Sequence, residues 1–304
     1  ARQIDLTGRI MTGVLDFMSF REKSGYICNS LSGKAKVGNG QALIEELRIS
    51  DPWSELYLPM YSMRYDSPRD FSDYIGKIRM DGIVKNSFLD TKTLAFFAPG
   101  LEKANLKTNL SGTVSGTVDD LNLSGMSIAT PDSLNLEFDG SIAGLPEIRE
   151  SDITLDLHRL RGTSEALEAA IKAFSPDMKL DISHLARGAE LRMHGHVSGS
   201  PEAMNLDMAA SLGSGYLKTV LDIRNLISAD KSVTMEGNVT TRDFDIGKIL
   251  DSGLLRQCTL RTGFKADIGN RDDGLSLDID SLFIDRLNLN GYDYSNIAAA
   301  GILE

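Results

Sequence analysis

The chain has 304 residues, with 32 Lys and Arg against 43 Asp and Glu, for a net charge of −11. Apolar residues at 41% and charged residues at 25% describe a folded chain, and the average charge repels a phosphate backbone, which sets nucleic-acid binding aside. No run of about 18 apolar residues is present to cross a bilayer as a helix, and Cys28 and Cys258 stand too far apart in sequence for a metal or redox motif, so they read as two buried thiols.

Alternation with period two dominates from the start, the pattern of half-buried strands. The first residues, ARQIDL, already lie inside it and carry no initiator Met, which leads to the expectation of an excised piece of a longer protein. Trp53, Tyr57, Tyr61, Tyr65, Phe71 and Tyr74 make the first third aromatic-rich. They could stack on sugars, but core packing is the better reading. Asp90 to Phe97 is a candidate short helix.

A glycine-bearing strand pattern then recurs. Met80, Gly82 and Val84 give its short form; Leu110, Gly112, Val114 and Gly116 give its full form. Asp119-Asp120 reads as a turn, after which Leu121 and Leu123 resume the alternation. Thr130-Pro131-Asp132 is the next turn. Leu134, Leu136, Phe138, Gly140, Ile142 and Gly144 follow, then Ile153, Leu155 and Leu157. Thr163 to Phe174 predicts a helix capped by Thr163 or Ser164, with Leu167, Ala170, Ile171 and Phe174 as its apolar stripe and Pro176 just beyond. Met193, Gly195, Val197 and Gly199 repeat the motif, and Met204, Leu206, Met208, Leu221 and Ile223 continue it. Met235, Gly237 and Val239 form another short copy, and a short helix is expected over Phe244 to Leu255. Leu275, Leu277, Ile279, Leu287 and Leu289 close the series.

GTVSGTVDDLNL at 112–123 aligns without gaps to GHVSGSPEAMNL at 195–206, so the repeat is real though irregularly spaced. Each glycine costs roughly 0.5–1 kcal/mol relative to alanine, and each sits among large apolar neighbours on one face. Gly112, Gly116, Gly140, Gly144, Gly195 and Gly199 are therefore read as letting a sheet curl and as keeping room on its apolar face. The opposite face carries Ser111, Thr113, Ser115 and Thr117. The expected fold is mainly β: an elongated, curled antiparallel sheet, a β-taco or groove, with a few short helices. Residues 1–304 read as one continuous β-repeat segment, aromatic-richer over 1–105 and Gly-rich over 106–304. A β-sandwich or β-helix packed closely over the glycines is the competing architecture.

The L-x-G-x-V-x-G strand with its following D-x-L-x-L carries a family resemblance. So do the Gly144-Leu145-Pro146 step, the stretch from Arg242 to Leu250, and the closing stretch from Gly291 to Ile297. In this order they resemble the TamB family (translocation and assembly module) of the AsmA-like superfamily, in particular an interior β-repeat segment of its Bacteroidetes-type members. The resemblance implies a periplasmic protein anchored in the inner membrane through a segment outside this chain. It also implies a hydrophobic groove for phospholipid transport and an outer-membrane barrel partner, met through regions outside this chain, in outer-membrane protein assembly.

Leu110, Val114, Leu121, Leu123, Leu134, Leu136, Phe138, Ile142, Met193, Val197, Leu206 and Met208 are the expected groove lining. Burial of each CH₂ is worth about 0.8 kcal/mol, so an acyl chain could be held there without cofactor or catalytic group. The alternative is a scaffold that adds client strands at its sheet edges. No hydrolase, zinc-protease, dinucleotide or P-loop motif occurs, so no enzyme is expected. His194 and His196 share a side but lack a third ligand nearby, so no metal is expected. His158 and His184 are isolated, and Asp272-Asp273-Gly274 matches a calcium loop only loosely and is better read as a hairpin turn.

Overall fold

The computed structural model describes residues 4–5, 10–97, 101–174, 190–226, 232–249, 252–268 and 275–303. His184, Pro176 and the 272–274 turn lie outside them. The chain divides into two compact units, Ala1–Ser151 with Ala173–Asp177, and Asp152–Lys172 with Met178–Glu304.

In the first unit the strands are β1 (Ile4–Asp5), β2 (Ile10–Arg21), β3 (Ile27–Gly38), β4 (Gln41–Ser50), β5 (Glu55–Arg64), β6 (Arg79–Asp90), β7 (Lys107–Gly116), β8 (Asp120–Ala129) and β9 (Asn135–Ala143). Each pairs antiparallel with the next along the chain. The second unit holds β10 (Asp152–Gly162), β11 (Leu191–Ser200), β12 (Ala203–Leu212), β13 (Gly215–Arg224), β14 (Val233–Arg242), β15 (Phe244–Asp245), β16 (Leu255–Ile268), β17 (Leu275–Leu289) and β18 (Tyr292–Leu303). It is the same antiparallel meander, with β14 and the short β15 both pairing with β16. The expected fold class holds: mainly β, antiparallel, open and curled, with a few short helices.

The curl of the first unit has a local cause. β4, β6 and β8 each carry one more residue than the neighbouring strand requires, at Glu46, Asn86 and Gly125. These residues have φ of 54°, 46° and 55°. An extra residue in the left-handed region is a bulge that bends its strand and increases the twist. Two of the freed amides are satisfied from the next strand: Asn86 N–H donates to Ser111 Oγ at 3.0 Å and Gly125 N–H to Asp139 Oδ1 at 2.5 Å. Part of the polar face therefore acts as a clasp for the bends.

Short helical segments close the strand ends. Asp90 caps α1 (Thr91–Leu94) by accepting from Lys92 N–H at 2.9 Å. Around it a buried network joins Asp51, Ser54 and Thr93, with Thr93 Oγ1 donating to Asp51 Oδ2 at 2.8 Å. The aromatic residues are packing elements, as the sequence favoured. Trp53 stacks on Phe96 with ring centroids 5.8 Å apart, and Tyr65, Phe71 and Tyr74 contact one another in series. In the second unit, α2 (Ser164–Phe174) is capped by Thr163, whose Oγ1 accepts from Ala166 N–H at 3.1 Å.

The helix expected over Phe244 to Leu255 is corrected. Phe244–Asp245 is a strand opposite Cys258 and Gln257, followed by one four-residue turn of helix, α3 (Ile246–Ile249). The chain turns back there because Gly247 lies against the Leu255 carbonyl, 1.9 Å from where a Cβ would stand, and Leu255 already belongs to β16. Cys28 and Cys258 are free and buried, and burial pushes both thiols up.

Candidate functional site: the apolar face of each unit

Cross-strand register sorts the side chains into rows, and the rows separate by chemistry. In the first unit one row runs Met11, Val37, Ala42, Met63, Met80, Gly116, Leu121, Ile142, from β2 to β9. Beside it runs Gly13, Ala35, Ile44, Tyr61, Gly82, Val114, Leu123, Gly140. Neither contains a charge. The row between them, on the other face, is Thr12, Lys36, Leu43, Ser62, Asp81, Ser115, Asn122, Ser141, polar at all positions but one.

The second unit repeats the arrangement. Leu155, Val197, Leu206, Leu221, Gly237, Phe264, Ile279 and Gly301 form one row; Ile153, Gly199, Met204, Ile223, Met235, Ala266 and Leu277 form the next. The intervening polar row is Thr154, Ser198, Asn205, Asp222, Glu236, Lys265, Asp278. Side chains alternate between faces with period two, so each unit presents one continuous apolar face.

Apart from Leu134, the predicted lining residues fall on these faces. Leu134, Phe138 and Met208 are buried, while Leu110, Val114, Leu121, Leu123, Leu136, Ile142, Met193, Val197 and Leu206 are half-buried. Leu134 precedes its strand, in the 130–134 turn closed by Thr130 N–H to the Leu134 carbonyl at 2.9 Å. Val114, Leu121 and Ile142 lie on the face of the first unit, and Val197, Leu206 and Met208 on that of the second.

Several of the strand glycines are not empty places. Gly112 has φ +151°, and a Cβ there would lie 2.3 Å from the Met126 sulfur and 3.0 Å from its Cα. Gly195 has φ +152°, and its Cβ would meet Met208 Cα at 2.8 Å and the Asp207 carbonyl at 2.1 Å. Leu221 lies against Gly237 and the Tyr61 ring against Gly82 in the same way. At these four positions atoms of an adjacent strand, side chain or backbone, crowd the place a Cβ would take. The expectation that Gly112, Gly116, Gly195 and Gly199 keep room is corrected: they permit a backbone conformation and a close approach. Gly144 is not a strand residue at all. It follows β9 with φ +93°, and its N–H donates to the Asp119 carbonyl at 2.8 Å.

Comparison with protein families, with curated proteins and with solved structures gives no match.

The polar face of the second unit has a shallow concavity of about 620 Å³ lined by His158, His194, His196, Asp156, Asp207, Tyr216 and Lys218, among others. His196 Nδ1 is 2.7 Å from Asp156 Oδ1, and Lys218 Nζ is 3.6 Å from Asp207 Oδ1. Among the described residues no group of three His, Cys, Asp or Glu side chains is arranged to hold a metal. Sequence reasoning missed Met126, Ile44, Met63 and Phe264 as members of the apolar faces. Its own alternation with Ala266 was the available signal for Phe264, whereas Met126 was hidden by the bulge before it.

Proposed function

We propose that the chain is a non-enzymatic cell-envelope protein and that the apolar face of each unit forms a groove that carries the acyl chains of phospholipid, in the manner implied by its resemblance to TamB proteins. The observation that carries this reading is the run of uncharged rows across each unit, with most of their side chains only half-buried. A half-buried Leu or Val retains apolar surface, and covering it is worth about 25 cal/mol per Å². An acyl chain supplies that cover with no polar contact to satisfy. Headgroups would stay in water, where the flanking polar rows also lie. A periplasmic location and support of outer-membrane protein assembly belong to the same reading.

The experiment is site-specific photo-crosslinking in cells. A photoreactive residue at Leu121 or Leu206 is expected to capture phospholipid, and one at Asn122 or Asn205, on the opposite face, is not. Equal capture at both faces, or none at the apolar positions, sinks the groove.

A further inference from the structure

The polar face of the second unit is divided by charge. Its outermost row, at the end where β10 and β14 finish, is Arg161, Arg192, Ser211, Tyr216, Arg242. The next is His194, Ala209, Lys218, Thr240, Arg261. Neither row holds an acid. Further along the strands the sign reverses, with Asp156 and Asp207 in the third row and Asp222, Glu236 and Asp278 in the fourth. Neighbouring strands lie about 4.8 Å apart, so the cationic rows make a strip on the order of 20 Å long. It stands on a chain whose net charge is −11.

The cations are only partly neutralised. Glu190 takes hydrogen bonds from both Arg192 and Arg161, which hold its carboxyl below the usual carboxylate range. That leaves two guanidinium groups on one carboxylate. Arg242 lies over the Tyr216 ring and Arg261 over the Phe283 ring, partners that carry no charge. The same rim bears an apolar tip. Asn290 N–H donates to the Leu254 carbonyl at 2.7 Å, which sets the segment before β16 against the β17–β18 turn. There Leu254 is 57% and Tyr292 70% exposed, with exposed Arg256 two residues beyond Leu254.

We propose that this rim of the second unit docks against an anionic lipid bilayer. A cationic strip alone suits any polyanion. An exposed leucine and tyrosine beside it suit the boundary between headgroups and acyl chains, where such side chains bury their apolar bodies. Each Lys or Arg near an anionic surface strengthens binding roughly fivefold.

The test is co-sedimentation of the full chain with vesicles of phosphatidylcholine alone, or with about one third phosphatidylglycerol. Binding is expected only to the second, and it weakens as salt rises. The triple variant Arg192→Glu, Arg242→Glu, Arg256→Glu loses affinity at least about a hundredfold. Leu254→Ser with Tyr292→Ser loses about tenfold without changing the salt dependence. Asp222→Asn with Glu236→Gln, on the acidic half, binds no more weakly than the parent. The corresponding Arg→Gln triple replaces the Glu triple if circular dichroism shows that the latter is unfolded. Equal binding to both vesicles overturns the proposal, and so does unaltered binding by the Arg variants. Full competition by heparin, with the serine pair inert, assigns the strip to a soluble polyanion and overturns it too. The inference does not rest on the groove: vesicle docking without lipid capture at Leu206 keeps it and removes the proposed function, and capture without charge preference does the reverse.

Discussion

The Met126 sulfur occupies the place that a Cβ on Gly112 would need, 2.3 Å from that position. The equivalent pair in the second copy of the repeat is Gly195 and Met208, at 2.8 Å. The backbone repeats as well: φ is +151° at Gly112 and +152° at Gly195, then +107° at Gly116 and +111° at Gly199. Gly112→Ala and Gly195→Ala should each destabilise by about 2–4 kcal/mol, through backbone strain and overpacking together. Urea unfolding followed by circular dichroism measures both. Combining Gly112→Ala with Met126→Ala should recover only part of the loss, because the Met126 Cα and the φ remain. Full recovery would show that the side-chain clash alone sets the glycine.

The two copies differ by one residue, and the structure shows where it went. Gly112 and Met126 are fourteen positions apart, Gly195 and Met208 thirteen. The extra residue is the Gly125 bulge, and the pairings of β8 with β7 and with β9 both shift across it. β12 has no such shift against either neighbour. Deleting Gly125 should therefore bring both ladders of β8 into uniform register and keep Met126 opposite Gly112. The expected loss is about 1–2 kcal/mol, from the forfeited Asp139 hydrogen bond and the straightened strand. Deleting Leu123 instead turns its neighbours to the wrong face and should prevent folding. Comparable damage from the two deletions would refute this account of the bulge.

Much of this was legible from alternation alone. Leu155, Val197, Leu206 and Leu221 could be placed on one face because period two is local. The capping of α2 by Thr163 was legible for the same reason. The partner of a glycine was not, because Met126 belongs to the next strand and only register brings it over Gly112. The bulge was hidden too, since Leu121, Leu123, Met126 and Ile128 look like a broken alternation until Gly125 is counted out. The cationic strip was invisible because Arg161, Arg192 and Arg242 are scattered along the chain and meet only across strands. The lost helix near Phe244 shows the opposite error, an apolar pattern overridden by Gly247 and by pairing with β16.

Tyr26 sets an alkaline limit on the first unit. It is buried at 8% exposure, and burial first, then Asp51 and Cys28, pushes its phenol from 10.0 up to about 12. A folded value above the unfolded one means that its contribution to stability is fully present below pH 10 and is lost as pH rises through about 12. Tyr26→Phe should therefore show a flatter decline of the urea midpoint across that window than the parent. It should also lose the corresponding late part of the tyrosinate absorbance titration. Tyr61, raised by burial and by Tyr74, remains as background in both proteins. Identical pH slopes for variant and parent would mean that Tyr26 titrates only after unfolding.

The Asp51 network predicts a graded pair of threonine substitutions. Thr93 is 5% exposed; its hydroxyl donates to Asp51 Oδ2 at 2.8 Å and lies 2.6 Å from Ser54 Oγ. Thr93→Val preserves shape but leaves a buried carboxylate oxygen one donor short, at a cost of about 1–3 kcal/mol. Thr108 is similarly buried at 9%, yet its hydroxyl reaches only the Leu89 carbonyl, at 3.3 Å. Thr108→Val should cost less, about 0.5–1.5 kcal/mol, because an uncharged carbonyl loses a long hydrogen bond. The comparison separates charge from burial, since both residues lie on the first unit at nearly equal exposure. Thermal unfolding of the two variants side by side reads the difference. If Thr108→Val proves as damaging as Thr93→Val, the Asp51 carboxylate is not what makes the hydroxyl at Thr93 valuable.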